Sequence, residues 1–200
     1  METVTVHIIN IDYVKKNFDT IKSLVSKERI KKAESFKYEE DQLRSLGAGY
    51  LIYKFLNNPE IKYKENRKPY IENGPYFNIS HSGKYIVLVI HGSREIGVDI
   101  EEIDEKHIKT IKYVLSNEEQ TDDLNTLFQL WSAKESLVKC NSKGVGDIRK
   151  SVGSPLNGKK IYENEEYYVQ TMIYNGYSLS VTIKGNEPFE MKVEELTWEK

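Results

Sequence analysis

The sequence predicts an α+β protein built from two similar halves, and a repeated pattern of glycines supports this prediction. Two strand-like runs of eight residues are each flanked by glycines, namely between Gly83 and Gly92 and between Gly176 and Gly185. Each run follows a long stretch with the apolar spacing of a helix. We therefore expect two α+β halves related by a pseudo-twofold axis, residues 1–95 and 96–200, with an acidic strand at their junction.

The composition indicates a globular protein. The chain has 200 residues, of which 38% are hydrophobic and 30% charged, which is enough for a real core in one large or two small domains. A net charge of −2 gives no general attraction to nucleic acid or to an anionic membrane. The single cysteine, Cys140, cannot form an internal disulfide, and no segment reaches the roughly 20 apolar residues of a membrane span. We expect a cytoplasmic protein.

The N-terminal elements are predicted as a strand followed by helices. Residues 4–9 alternate polar and β-branched side chains, as is typical of a strand. Residues 13–36 have helical apolar spacing and a basic cluster, Lys27, Arg29, Lys31 and Lys32. Such a cluster is usually a solvated helix face, and an anion site is the alternative. Residues 38–57 predict a further helix, in which Gly47 and Gly49 each cost about 1 kcal/mol, so we expect another backbone or a ligand to approach them.

Small polar side chains end the next predicted strand, at Ser80-His81-Ser82-Gly83. Their hydroxyl and ring N–H donors suit an anionic ligand lying across the strand end. A cap of the turn and a serine–histidine nucleophile pair are the alternatives. Residues 84–91 are almost wholly apolar and predict a buried central strand, and residues 92–95 predict a hairpin into the strand that follows.

That following strand, residues 96–101, carries two carboxylates. Side chains alternate along a strand, so Asp99 and Glu101 share one face while Val98 and Ile100 share the other. With Cβ atoms roughly 6.5 Å apart and an effective dielectric of about 20, the two charges repel by roughly 2–3 kcal/mol. A hard cation such as Mg²⁺ would offset this repulsion. The alternative is a solvated strand edge with both acids in water.

A third acid is out of place on the helix predicted for residues 124–140. Glu135 lies near the middle of an apolar stripe that contains Leu124, Leu127, Phe128, Trp131 and Val138. A buried carboxylate without a partner would cost several kcal/mol. Lys139, one turn further on, offers a simple i,i+4 ion pair. Alternatively, Glu135 faces the same cation as the two acids of the strand, with Lys134 and Lys139 beside it for phosphates.

Three stretches of the chain resemble the signature motifs of 4′-phosphopantetheinyl transferases of the Sfp type, the two-half, monomeric kind. These stretches are Phe77–Gly83, Gly97–Glu101 and Trp131–Lys139. Arg44 with Leu46-Gly47, and Lys68-Pro69, resemble weaker upstream motifs. Arg67 departs from the pattern, because a glycine commonly precedes the Lys-Pro pair.

The resemblance implies the fold of these enzymes and their reaction. They bind Mg²⁺ and coenzyme A in the cleft between the halves. They move the phosphopantetheine arm to a serine of an acyl or peptidyl carrier protein of fatty acid, polyketide or nonribosomal peptide biosynthesis, and release adenosine 3′,5′-bisphosphate. No nucleic acid or membrane partner is implied.

Motif position also implies roles for single residues. The metal ligands would be Asp99, Glu101 and Glu135. The nucleotide phosphates would be held by Lys31, Arg44, Lys68, Ser80, His81, Lys134 and Lys139, with Lys32 as an alternative to Lys31. Lys139 would also assist the leaving bisphosphate, and Glu135, or a metal-bound water that it orients, would be the base for the carrier serine.

Two other classes of function stay open, a metal-dependent phosphohydrolase that uses the same acids and a module that binds carrier proteins without turnover. For a carrier protein, two stretches beside the cleft could form the docking surface, residues 102–114 and 142–154. In the first, Ile103, Ile108, Ile111 and Val114 form a partner site if exposed and a core face if buried. In the second, positive charge faces a partner class that is usually acidic, from Lys143, Arg149 and Lys150.

Overall fold

The structure, a computed structural model, describes residues 1–65, 68–141 and 148–197. Its α-helices are α1 (Ile11–Lys16), α2 (Phe18–Leu24), α3 (Lys27–Glu34), α4 (Glu39–Leu56), α5 (Ile108–Val114) and α6 (Leu124–Asn141). Its strands are β1 (Glu2–Asn10), β2 (Lys62–Tyr63), β3 (Pro69–Tyr70), β4 (Tyr76–Ser82), β5 (Tyr85–His91), β6 (Ile96–Glu102), β7 (Gly158–Tyr162), β8 (Glu165–Tyr174), β9 (Tyr177–Lys184) and β10 (Phe189–Glu195). The predicted α+β class is confirmed. Across these ranges, no helix combines the length and apolar character that a bilayer crossing requires.

Two four-stranded sheets form the centre of the molecule, in the orders β10-β1-β5-β4 and β6-β9-β8-β7. Neighbouring strands are antiparallel, except that β10 runs parallel to β1. The sheets share one core, in which Val6 and Val87 of the first meet Val98 and Val181 of the second. Helices α1 to α4 pack on the other side of the first sheet, and α6 packs on the other side of the second.

The predicted hairpin between β5 and β6 is wrong. Strand β5 pairs with β1 on one edge and with β4 on the other, so neither edge is free for β6. Residues 92–95 instead carry the chain into the second sheet, where β6 pairs with β9. The chain crosses there because the apolar face of β6, with Val98 and Ile100, completes the core between the sheets.

Strands β4 and β6 lie side by side at the junction of the two sheets, where side chains of β4 bond to the backbone of β6. The Val98 N–H donates to Asn78 Oδ1 at 2.9 Å, and the Glu102 N–H donates to Ser82 Oγ at 3.0 Å. These bonds satisfy backbone donors at the edge of β6. The two faces of β4 consequently differ, with Asn78, Ser80 and Ser82 toward β6 and Phe77, Ile79 and His81 on the side of α4.

The helical spacing of residues 13–36 corresponds to three short helices. The last of them, α3, begins after Ser26, whose hydroxyl accepts the Arg29 N–H at 3.2 Å. The helix predicted for residues 38–57 is α4. At Gly49 on this helix, a Cβ atom would lie 2.5 Å from Arg29 Cγ. The approaching group is therefore a side chain of α3, and neither of the two predicted kinds, a backbone or a ligand.

The division into residues 1–95 and 96–200, related by a pseudo-twofold axis, stays a prediction. Strands β5 and β9, which follow the paired glycines, are both inner strands, and a long helix packs on each. Strand β10, however, joins the edge of the first sheet beside β1. The C-terminal strand therefore belongs to the sheet that the N-terminal residues build.

Candidate active site

Gly97 brings helix α6 directly onto strand β6. A Cβ atom at this position would lie 2.1 Å from the Ser136 carbonyl oxygen and 2.5 Å from the Cys140 nitrogen. Both of these atoms belong to the backbone of α6 and cannot rotate away. The glycine thus sets the height of α6 above β6, and with it the positions of the α6 side chains that face β6.

Small hydroxyl side chains form the rest of this contact between α6 and the second sheet. Ser132 bonds to Ser178 and Ser180 at 2.7 Å each, and Ser136 bonds to Thr182 at 2.7 Å. All five side chains are fully buried. Because short hydroxyl groups satisfy one another across the interface, the helix packs closely without leaving polar atoms unpaired.

We expect Gly97→Ala to lower both stability and activity. The methyl group would push α6 away from β6, at a cost of about 1–3 kcal/mol or more for overpacking. Gly92→Ala is the matched control, because a Cβ atom at position 92 has no neighbour within 4 Å. Urea denaturation and initial rates compare the two variants. If Gly97→Ala behaves like Gly92→Ala, the close approach of α6 is not what holds the site together.

Asp99, Glu101 and Glu135 come together between β6 and α6. Burial is the largest cause of a raised pKa in each, and it brings Asp99 to about 6 and Glu135 to about 7. The acids also act on one another, since Glu101 raises the pKa of Asp99, Glu135 that of Glu101, and Asp99 that of Glu135. This mutual effect on the pKa values agrees with the prediction that Asp99, Glu101 and Glu135 face one site.

Lys139 supplies a positive charge inside this acid cluster. Its Nζ lies 2.5 Å from Asp99 Oδ1 and donates to Ser80 Oγ at 2.9 Å. Burial lowers the pKa of Lys139, but the three acids outweigh it and the pKa is raised overall. The sequence predicted that a metal ion would offset the repulsion between Asp99 and Glu101. In the structure, the ammonium group of Lys139 offsets it. Its ion pair is with Asp99 and not the i,i+4 pair with Glu135.

The oxygens of the cluster fit a hard cation, although they do not form a complete cage. In the part of the chain that the structure describes, no group of three or more His, Cys, Asp or Glu is placed to hold a metal ion. Mg²⁺, however, is usually bound by one or two carboxylates together with substrate phosphates. Asp99 Oδ2 is buried and has no hydrogen-bond partner among the described residues, so one carboxylate oxygen is available. The magnesium site remains a proposal that this oxygen supports.

The serine hydroxyls that were expected to meet an anionic ligand contact the acids instead. Ser80 Oγ donates to Asp99 Oδ1 and Ser82 Oγ donates to Glu101 Oε2, both at 3.0 Å. His81, between them, points to the opposite face of β4. A serine–histidine nucleophile pair thus has no geometric support, and the structure does not direct Ser80 to a nucleotide.

A pocket of about 290 Å³ lies on that opposite face of β4. Its walls are mainly aromatic and aliphatic, with Phe36, Ile52, Ile61, Tyr63, Phe77 and Ile79. Its charged groups are Arg29, Lys32, Arg44, His81 and Asp41. Apolar walls with a mostly cationic rim are the complement of a flat, phosphorylated ligand.

Lys31, which was expected to hold a phosphate, does not line this pocket, whereas Lys32 and Arg29 do. Both of these also line an adjoining pocket of about 420 Å³. Burial lowers the pKa of each, and the charge of Arg29 lowers that of Lys32 further. Within residues 1–65, 68–141 and 148–197, neither has an acidic partner. The sequence analysis named Arg29 only as part of the basic cluster and gave it no phosphate role of its own, although its i,i+3 spacing to Lys32 indicates that the two share a face of α3.

The structure places Arg44 in the pocket and Lys68 elsewhere. Arg44 donates to the Gly83 carbonyl oxygen at 2.7 Å and to Asp41 at 2.8 Å, which fixes its guanidinium at the rim. Lys68 Nζ donates to the Cys140 carbonyl oxygen at 2.8 Å, near the end of α6. Burial lowers the pKa of Lys68. Arg67, the departure from the family pattern, lies outside the described residues.

His81 lines the pocket and also lies within range of the charge of Lys139 in the acid cluster. Partial burial lowers its pKa most, and the positive charges of Arg44 and then Lys139 lower it further. An anion bound between these cations would favour the protonated imidazole. The environment of His81 therefore agrees with the phosphate-binding role that its motif position implies.

Lys134 is not in the acid cluster, so its assignment to a phosphate lacks structural support. It is 1% exposed, and its Nζ lies 3.0 Å from Glu119 and 2.6 Å from the Ser151 carbonyl oxygen. Lys160 donates to the next two carbonyl oxygens, of residues 152 and 153, at 2.6 and 2.5 Å. Lys134 therefore belongs to a buried network that holds the segment after α6.

The apolar strip considered for a partner protein is a core face. Ile111 is 2% exposed and packs with Leu127 and Phe128 of α6, and Ile103 and Ile108 pack against the same cluster. Nearby, the Arg149 guanidinium stacks 3.6 Å from the centre of the Tyr113 ring, which is 73% exposed. Lys143 lies outside the described residues. The exposed features described in these two stretches are thus aromatic and basic.

This chain is similar to known proteins over most of its length. Residues 95–171 match the family model of the 4′-phosphopantetheinyl transferase superfamily. The chain is 32% identical over 190 residues to the 4′-phosphopantetheinyl transferase gsp of Aneurinibacillus migulanus, which covers 86% of this chain and 76% of that protein. It is 31% identical over 141 residues to the 4′-phosphopantetheinyl transferase Sfp of Bacillus subtilis, and the match spans 62% of either protein. The chain therefore belongs to the 4′-phosphopantetheinyl transferases, a family of transferase enzymes.

Proposed function

We propose that this protein transfers the 4′-phosphopantetheine arm of coenzyme A to a serine of an apo acyl or peptidyl carrier protein, with Mg²⁺, and releases adenosine 3′,5′-bisphosphate. The observation that carries the proposal is the position of β4. One face of this strand lines the cationic pocket, and the other face contacts the acid cluster. A nucleotide in the pocket would place its pyrophosphate at the strand end, beside Asp99 and Glu135.

The pocket side of β4 holds the nucleotide in this proposal. The walls receive the adenine ring, and the phosphates meet Arg29, Lys32, Arg44 and His81. Lys139 stands nearest to the acids and assists the leaving bisphosphate, for which it must exchange Asp99 for a phosphate oxygen. The phosphate contacts do not include Lys31, because it does not line the pocket. They also leave out three residues that contact other groups, namely Lys68, Ser80 and Lys134.

The reaction forms one bond and breaks one. The carrier serine oxygen bonds to the phosphorus that bears pantetheine, and the bridging bond from this phosphorus to the bisphosphate oxygen breaks. Glu135 accepts the serine proton, and the bisphosphate leaves with the bond electrons. Mg²⁺ held by Asp99, Glu101 and Glu135 would neutralise charge on the pyrophosphate oxygens.

The test is to incubate the protein with coenzyme A, Mg²⁺ and a panel of apo carrier proteins, and to weigh the carriers by mass spectrometry. We expect one phosphopantetheine arm per carrier, lost on chelation of the metal. Cleavage of coenzyme A without any carrier protein would indicate a phosphohydrolase. Carrier binding without cleavage would indicate a binding module.

We expect Arg29→Ala and Lys32→Ala to raise the KM for coenzyme A about tenfold each, with a smaller change in kcat. Each variant removes a cation that lines the pocket. Lys31→Ala is the control from the same helix, and it should leave the KM within about twofold. The opposite ranking would return the phosphate contact to Lys31 and contradict the pocket assignment.

We expect the carrier protein to approach over the exposed basic surface beside the site. Reversing Arg149 and Lys150 to Glu should reduce kcat/KM for an acidic carrier about tenfold at low salt, with little loss at high salt, because these charges speed encounter. Initial rates over a range of sodium chloride concentrations measure the effect. If no salt-dependent loss occurs, the carrier approaches by another face.

A further inference from the structure

We infer that Trp131 is a positioning residue that holds the carboxylate of Glu101 in place. Its indole N–H donates to Glu101 Oε1 at 3.2 Å, while the Ser82 hydroxyl donates to Oε2 at 3.0 Å. Ser82 is itself fixed, because it accepts the Glu102 N–H at 3.0 Å. Glu101 is thus held on both oxygens, from α6 by Trp131 and from β4 by Ser82.

A related arrangement occurs two residues earlier on β6, at Asp99, although both donors there meet the same oxygen, Oδ1. There a hydroxyl of β4, Ser80, donates at 3.0 Å, and a side chain of α6, Lys139, lies at 2.5 Å. Trp131, Glu135 and Lys139 follow one another at four-residue intervals and therefore share a face of the helix. The outer two hold the acids of β6, and the described residues form no hydrogen bond or ion pair with the carboxylate of Glu135, between them.

The N–H group of Trp131 can be separated from its ring. The ring packs against the cluster of Leu127 and Phe128, so a phenylalanine at position 131 would keep apolar contact there. The hydrogen bond is assisted by the charge of the carboxylate, and without it Glu101 is held by Ser82 on one oxygen only. This inference rests on the proposed function, in which Glu101 is a ligand of Mg²⁺. Mutating a group that orients a metal ligand commonly lowers the metal affinity by about 10- to 100-fold.

The experiment measures Mg²⁺ binding in the presence of coenzyme A by calorimetry, without a carrier protein. Trp131→Phe should weaken binding about tenfold, and Ser82→Ala should do the same from the other side of Glu101. In a Glu101→Ala background, Trp131→Phe should have no further effect. A purely packing role for Trp131 would lower affinity equally in both backgrounds. Circular dichroism checks that each variant is folded, and if Trp131→Phe is not, Ser82→Ala carries the comparison.

A second readout is the fluorescence of Trp131 itself. The chain has two tryptophans, so Trp198→Phe leaves Trp131 as the only reporter. Its emission should change as Mg²⁺ and coenzyme A are added, and Glu101→Ala should remove this change. An unchanged Mg²⁺ affinity in Trp131→Phe contradicts the role of Trp131 but leaves the proposed function standing if the wild type modifies carriers. A wild type that binds no Mg²⁺ contradicts the role of Trp131 too, and a wild type that binds Mg²⁺ but modifies no carrier contradicts only the proposed function.

Discussion

Asp99→Asn is expected to abolish transfer to a carrier protein, by about a thousandfold or more in kcat/KM. The substitution keeps the shape of the side chain but removes the charge that a cation and Lys139 both require. Glu102→Gln is the matched control, because its side chain lies on the same strand and contacts Tyr177 instead. Rates at saturating Mg²⁺ compare the two variants. Turnover of Asp99→Asn at the wild-type level would rule out Asp99 as part of the reaction centre.

The same variant should not lose stability at pH 8. Burial raises the pKa of Asp99 to about 6 in the folded protein, so its ionisation opposes folding. The contribution that favours folding is complete below the unfolded pKa of about 3.9 and is lost as the pH rises through about 6. The wild type without metal therefore loses more stability over this window than Asp99→Asn, in which Glu135, with a pKa of about 7, still titrates. Urea denaturation of both proteins at pH 5 and pH 8, with chelator present, measures how much stability each one loses. Equal losses would mean that Lys139 and Ser80 stabilise the ionised form of Asp99 enough to cancel the effect of burial.

Lys134→Met is expected to destabilise the protein by about 3–5 kcal/mol, the range for one partner of a buried ion pair removed alone. It leaves the Glu119 carboxylate, whose side chain is 6% exposed, without the ammonium at 3.0 Å. It also leaves the Ser151 carbonyl oxygen without its donor. The effect should appear as a lower midpoint in urea, with no selective rise in the KM for coenzyme A.

The double variant Lys134→Met with Glu119→Gln is the control for this prediction. Removing both charges should restore part of the lost stability, because no unpaired carboxylate then remains buried. The pKa of Glu119 is lowered, since its hydrogen bonds and Lys134 outweigh burial. The difference between wild type and Lys134→Met should thus shrink as the pH falls through that pKa. A normal midpoint with a raised KM for coenzyme A would instead return Lys134 to the phosphate site.

Local patterns were sufficient for the elements and for the acid cluster. Alternation on β6 placed Asp99 and Glu101 on one face, and helical spacing put Glu135 in a buried stripe of α6. Both patterns depend only on the backbone geometry within one element. The hairpin after β5 failed because strand pairing depends on which edges are free, and distant strands occupy both edges of β5.

Single lysines were the least predictable part of the site. Lys31 and Lys32 are neighbours in the sequence, and only the packing of α3 on α4 directs Lys32 into the pocket. Lys134 and Lys139 both lie on α6, yet one meets Glu119 on the segment before the helix and the other meets Asp99 on β6. A flexible lysine reaches whichever acid the fold brings near, so motif position alone does not settle its partner.

The sequence by itself determined the α+β class, the family motifs and the three acids of the cluster, because these follow from short-range periodicity and from residue types in fixed spacing. Only the tertiary structure decided that β4 separates the pocket from the acids, that Lys139 pairs with Asp99, and that Trp131 holds Glu101. These contacts join residues 30 and 40 positions apart. They depend on how closely α6 packs on β6, which Gly97 permits but which the sequence of one segment does not show without the other.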